Sequence, residues 1–154
     1  MRVYADTNFF PRLYLRLPDS VEALDLMEKA KRPGSRPLPI TWLHRVEIVN
    51  ALELHVYTSR QPGQICITPE QAAAAHATFQ ADLTERTFLR PAHIEPPELE
   101  SKFEELALRH TAKHGFRTYD LIHVASALIL NCDQFWSFDS KASKLASLAG
   151  LRVP

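Results

Sequence analysis

Four carboxylates carry the chemical interest of this sequence: Asp6, Glu47, Asp120 and Asp139. Asp6 follows the β-prone run Val3-Tyr4-Ala5, and Asp139 follows the aromatic run Phe135 to Phe138. Asp120 falls in the first turn of an apolar helical segment. In an open α/β sheet, ligands bind beyond the carboxyl ends of the strands. Asp6 and Asp139 are therefore expected at one edge, and Asp120 joins them if its helix starts there. The segment from Trp42 offers two acids, Glu47 and Glu53. Their spacing puts them about 9 Å apart along a helix axis and about 120° apart around it. Glu47 lies nearer the preceding strand and is the preferred fourth member.

Each acid also has an ordinary role open to it. Asp6 suits a turn, Asp139 a helix cap, Asp120 the positive end of a helix dipole, and Glu47 a pairing with an arginine. Four converging carboxylates would repel one another unless a cation lay among them. Oxygen-only ligation favours Mg²⁺ or Mn²⁺ over zinc. An acidic pocket holding such an ion suits phosphodiester hydrolysis, because the metal activates water and stabilises the charge of the transition state.

The elements that must place these acids are legible as alternating strands and helices. Arg2 to Ala5 reads as a strand, and Asn8 to Leu17 as a helix regular only from about Pro11. Asp19-Ser20-Val21-Glu22 resembles a capping box ahead of a helix, and Lys29 to Pro39 a basic, Pro-rich loop. Leu38 to Thr41 is a candidate buried strand. Trp42 to Thr58 is a helix with apolar residues around most of its circumference, which predicts an interior position. Thr68-Pro69-Glu70-Gln71 opens a helix running towards Phe88. Arg90 to Ile94 follows as a strand, then a helix from Pro96-Pro97 to Gly115. Thr118 to Asn131 is an apolar helix, Gln134 to Phe138 a strand, Ser140 to Ala149 a helix, and Leu151 to Val153 a last strand. The alternation predicts an α/β fold with a mainly parallel sheet in one domain spanning residues 1–154.

Other classes are disfavoured. Asp6 interrupts the stretch a signal peptide would need, and the uncharged run Leu121 to Cys132 is too short to span a bilayer. Cys66 and Cys132 form no CxxC pair, so a disulfide framework and a zinc ribbon are both out. A cytoplasmic protein with no membrane association is expected. Gly34, Gly63, Gly115 and Gly150 are too scattered for a Walker or dinucleotide loop. A phosphoacceptor receiver needs adjacent acids after its first strand and a well-placed lysine, and Lys141 is not so placed.

Val3-Tyr4-Ala5-Asp6-Thr7-Asn8, Glu47-Ile48-Val49-Asn50-Ala51-Leu52, Arg117 to Ala125 and Phe138-Asp139 together resemble a PIN-domain protein. The similarity covers essentially the whole chain and is strongest to the small VapC-type ribonucleases of bacterial toxin–antitoxin pairs. The resemblance implies a three-layer α/β domain, a central, mainly parallel sheet of about five strands flanked by helices. It further implies a Mg²⁺- or Mn²⁺-dependent endoribonuclease acting on RNA, with Asp6, Glu47, Asp120 and Asp139 as catalytic and metal-binding residues. Thr7 would steady the pocket, Asn8 stands where a second small hydroxyl is common, and Thr118 would support Asp120 or meet a phosphate. A homodimer and an antitoxin partner are implied in the same way. The competing reading is a non-catalytic RNA-binding or regulatory module on the PIN fold.

Remaining signals have plainer explanations. His123, three residues after Asp120, touches substrate, orients a carboxylate or, the preferred account, is a satisfied, partly buried histidine. His110 and His114 lack zincin-like company and read as a solvated face. The basic run Lys29 to Arg32 with Arg36 suits a phosphate backbone or a solvated loop, and Phe9, Phe10, Tyr14, Phe135 and Trp136 suit base stacking or the core. Eighteen basic and eighteen acidic residues cancel, yet residues 61–100 alone carry two basic and six acidic groups. With the four acids set aside as neutralised by cations, residues 1–60 and 101–154 together carry about +8. Overall neutrality is therefore compatible with RNA.

Overall fold

The computed structural model describes residues 1–31 and 34–154. Its strands are short. β1 (Val3–Ala5) pairs in parallel with β4 (Gln134–Trp136), and β2 (Leu38–Ile40) pairs in parallel with β3 (Leu89–Pro91). Between them run α1 (Phe10–Tyr14), α2 (Ser20–Ala30), α3 (Trp42–Thr58), α4 (Pro69–Glu85), α5 (Pro96–His114), α6 (Thr118–Ile129) and α7 (Ser140–Leu148).

The expected continuous sheet of about five strands is replaced by two parallel pairs, and the terminal strand is reduced to one bridge between Arg152 and Gln134. The backbone explains the division. Leu38 N–H and the Ile40 carbonyl bond to the β3 side, so alternation turns Pro39 towards β1, where it offers no N–H. On the opposing edge the Ala5 carbonyl accepts from His44 Nε2 at 2.8 Å. A side chain fills the seam where a strand hydrogen bond would run. Pro91 lies on the outer edge of β3, the position a strand proline tolerates.

Side-chain alternation builds a core on each face of the strands. Val3, Ala5 and Trp136 pack with Phe9, Phe10, Ile48, Leu52 and Phe79 on one side. Tyr4 and Phe135 point the other way into Leu121, Val124, Leu145 and Leu106. Helices α1–α4 thus cover one face and α5–α7 the other. Burying a side chain such as Leu52 or Ile48 contributes about 1.5–3 kcal/mol, and this double packing fixes the strand ends.

Several boundaries differ from expectation. A 3₁₀ turn over Thr7–Phe9 precedes α1, and the chain is already extended at Leu15. Asp19 makes no cap hydrogen bond. Its backbone is left-handed at φ 66°, and Ser20 Oγ bonds the Leu15 carbonyl instead. The loop expected from Lys29 begins later, because α2 continues to Ala30; Arg32 of the basic run lies outside the described residues. Helix α3 has the expected span but is not interior throughout. Leu43, His44, Ile48, Leu52 and Val56 are buried, while Trp42, Val46, Val49, Leu54 and Tyr57 are exposed. Helix α4 ends at Glu85, short of Phe88, and β3 starts one residue earlier and stops three sooner than expected. The Thr68–Gln71 capping box and the left-handed Gly115 at φ 66° that ends α5 are as read from the sequence. Among the described residues no helix is long and apolar enough to cross a membrane.

Candidate active site

The carboxyl end of β1 delivers Asp6 directly into the start of the 3₁₀ turn. Its Oδ1 accepts from the Thr7 backbone N–H at 2.6 Å, and its Oδ2 accepts from Ser137 Oγ at 2.8 Å and Asn8 Nδ2 at 3.1 Å. Ser137 is there because β4 ends at Trp136, so the chain turns across the end of β1. Burial raises the Asp6 pKa above the usual carboxylate range, although the positive field of His123 and the bonds from Ser137 and Thr7 pull it down.

Helix α3 supplies Glu47, while Glu53 lies exposed outside this cavity. Glu47 Oε2 accepts from His123 Nε2 at 2.7 Å and from Thr7 Oγ1 at 2.7 Å. Burial works to raise the Glu47 pKa, but the hydrogen bond and charge of His123, with the Thr7 bond, outweigh it and leave the group below its ordinary value. His123 Nε2 also lies 3.4 Å from Asp6 Oδ1. Ionised carboxylates only accept, so Nε2 carries a proton. Its Nδ1 meets Tyr4 Oη at 2.9 Å. The Tyr4 pKa is held well above normal by burial, so the phenol keeps its proton. His123 is thus the satisfied, buried histidine that also holds two acids.

Asp120 and Asp139 share a different partner, Arg117. Arg117 caps α6, and its backbone N–H donates to Asp120 Oδ2 at 3.1 Å. Its guanidinium spans from Asp120 Oδ2, 3.4 Å from Nε, to Asp139 Oδ2, 2.8 Å from Nη2. Asp139 Oδ1 meanwhile caps α7 through the Lys141 and Ala142 amides at 2.7 and 3.2 Å.

Asp6, Glu47 and Asp120 line one cavity of about 460 Å³ with Thr7, Asn8, Asn50, Arg117, Tyr119 and His123. Asp139 is outside that lining, joined to it through Arg117, and Thr118 is exposed on the first turn of α6. A larger groove of about 610 Å³ between α4 and the segment after α1 has no Asp, Glu or His in its wall. The oxygen-only donors of the first cavity fit a hard divalent cation by type. In the arrangement seen, however, the acids are met by His123 and Arg117. Among the described residues no three His, Cys, Asp or Glu gather closely enough to hold an ion.

The structure resembles that of VapC20 from Mycobacterium tuberculosis, described as a sarcin-ricin loop cleaving toxin. The TM-score is 0.62 and the identity 18%, over 97% of this chain and 96% of that one. The chain shares the PIN fold of a VapC toxin. No family model matches the sequence, and no curated protein matches it. On this fold the acids named from the sequence fall just after β1, on the second turn of α3, on the first turn of α6 and at the cap of α7.

Three residues escaped the sequence reading. Arg117 sits three positions before Asp120, the spacing of a helical ion pair, which is a usable signal. His44 replaces the usual Glu or Gln of a Thr-x-x-Glu capping box. Its Nδ1 accepts from the Thr41 N–H at 3.1 Å, and burial with nearby His123 depresses its pKa to about 3. Ser137 had no signal, because its role depends on where β4 stops. His110 and His114 prove half-buried rather than solvated, and His114 packs on Phe116. Phe9, Phe10, Phe135 and Trp136 are core residues, and Tyr14 donates to Asp82.

Proposed function

We propose that the chain is a metal-dependent endoribonuclease that hydrolyses RNA phosphodiester bonds, with Asp6, Glu47, Asp120 and Asp139 as its acidic site and Mg²⁺ or Mn²⁺ as cofactor. The observation that carries this reading is the meeting of Asp6, Glu47 and Asp120 in one cavity, on a fold shared with an RNA-cleaving toxin. Asp6, Glu47 and Asp120 would hold the ion, which supplies Lewis-acid stabilisation of phosphoryl charge and makes water a better nucleophile. Thr7, Asn8 and Ser137 fix the Asp6 carboxylate, and His123 fixes Glu47, so both present oxygens at set positions. Arg117 at the cavity wall offers planar donors suited to a phosphate. Water adds to phosphorus, the P–O3′ bond breaks, and the departing oxygen takes a proton, leaving 5′-phosphate and 3′-hydroxyl ends.

Asp6→Asn and Asp120→Asn are each expected to abolish metal-dependent cleavage of a broad transcript pool while the circular dichroism of the fold is retained. Cleavage by either variant at the wild-type rate, or products ending in a 2′,3′-cyclic phosphate, would sink the reading. The engagement of the site's acids by Arg117 and His123 favours a second reading: a PIN-fold module that binds RNA without cutting it. Retention of RNA with no product at any Mg²⁺ or Mn²⁺ concentration would decide for it.

Within the first reading the chain is the cytoplasmic toxin of a toxin–antitoxin pair, restrained by an antitoxin protein that covers the cavity. The exposed apolar residues Trp42, Val46, Val49 and Tyr57 along α3 support a homodimer.

A further inference from the structure

We infer that Arg117 is a tethered counter-ion, competing with a divalent cation for the carboxylate of Asp120 and, through the same guanidinium, holding Asp139. The inference rests on the metal-dependent reading above and names a control that reading does not contain. Three observations carry it. Arg117 is the one Lys or Arg in the cavity wall among the described residues, and its guanidinium bridges the two acids with contacts of 3.4 and 2.8 Å. Its side chain is 63% exposed, whereas the Asp120 side chain it touches is 10% exposed. The partner of this pair that lies in water is therefore the cation, and the enclosed partner is the acid. Finally, both hydrogen bonds that Asp120 receives among the described residues go to Oδ2. Oδ1 receives no such bond and is not among the fully buried unpartnered atoms, so it keeps some contact with solvent.

The backbone makes the exchange inexpensive. Arg117 is anchored by its own N–H on Asp120, and α6 begins just after it, so the guanidinium can leave without disturbing the helix. A solvated ion pair of this kind is weak and salt-screened. A divalent cation at Asp120 would find a positive charge within contact distance, and the two charges repel. Removing the guanidinium therefore strengthens metal binding, whereas a merely structural role predicts that its loss loosens the site and weakens binding.

The test is Mn²⁺ binding to the full chain, followed by the loss of the free-ion electron paramagnetic resonance signal at fixed ionic strength. Arg117→Gln is expected to bind Mn²⁺ about tenfold more tightly than wild type, and Asp120→Asn more weakly. Lys141→Gln removes a nearby ammonium that lies against the Gly115 carbonyl and touches neither acid, while its backbone N–H on Asp139 is kept, and its affinity should stay within about twofold of wild type. Equal affinity in wild type and Arg117→Gln overturns the inference while leaving the metal-dependent reading intact. An equal gain in Lys141→Gln also overturns it, since the effect would then be long-range charge. Absence of Mn²⁺ binding in both wild type and Arg117→Gln would overturn the inference and the metal-dependent reading together.

Discussion

The acids around one cavity are met by two side chains in opposite surroundings. His123 is 3% exposed and wedged between Tyr4, Thr7, Glu47 and Asp6, with both ring nitrogens engaged. Arg117 is 63% exposed and holds its two acids from the rim. A buried carboxylate that loses its hydrogen-bond partner cannot recover its hydration, whereas an exposed ion pair exchanges readily with water and salt. Asp6 and Glu47 are thus held by a buried side chain, whereas Asp120 and Asp139 are held from the rim by one that water or salt can replace.

The sharpest way to break this contrast is to truncate each of these two side chains. His123→Ala leaves the Glu47 and Asp6 carboxylates and the Tyr4 hydroxyl without their shared partner. It should cost about 3–5 kcal/mol in urea denaturation. Arg117→Ala should leave the urea midpoint at the wild-type value. Equal losses in the two variants would remove the distinction between the two pairs of acids.

Protons probe the buried surroundings of His123 from a second direction. His44 is neutral in the fold, with its pKa depressed from 6.5 to about 3 by burial and by His123. Between those values the unfolded chain binds one more proton than the folded chain. Its contribution is therefore complete above about pH 6.5 and is lost as pH falls, by about 1.4 kcal/mol per unit towards pH 3. Denaturation at pH 7 and pH 5 should show this slope, and His44→Gln should flatten it. An unchanged slope in that variant would assign the acid sensitivity elsewhere.

The smallest effect belongs to Ser137, which joins the two pairs of acids by donating to Asp6 Oδ2 and accepting from the Asp139 backbone N–H. Ser137→Ala should cost about 1–1.5 kcal/mol and move the Asp6 carboxyl titration upward, as followed by carbon NMR, because a bond that lowers it is lost. No movement would show that Ser137 does not hold the acid.

What was legible in the sequence divides along similar lines. Asp6, Glu47 and Asp120 could be found because strand ends and helix starts are local features, marked by apolar runs and caps. The choice of Glu47 over Glu53 followed from its place nearer the preceding strand. The two-pair sheet was not legible, because it depends on which way Pro39 faces and on a histidine from another element. Asp139 was read as a member of the cluster, yet its local task of capping α7 and its bond to Arg117 keep it outside the cavity wall. The exposed stripe of α3 was missed because apolar residues all around a helix say nothing about how many neighbours it has.

The histidine in the seam has a consequence for the dimensions of the site. Ala5, whose carbonyl it grips, immediately precedes Asp6, and His44 precedes Glu47 by less than one helical turn. A single imidazole therefore works as a gauge block between two independently hydrogen-bonded plates, setting the gap between the acid on one and the acid on the other. Fine calibration of that gap falls to position 44, where a shorter or longer side chain would retune the spacing of the two carboxylates without touching either.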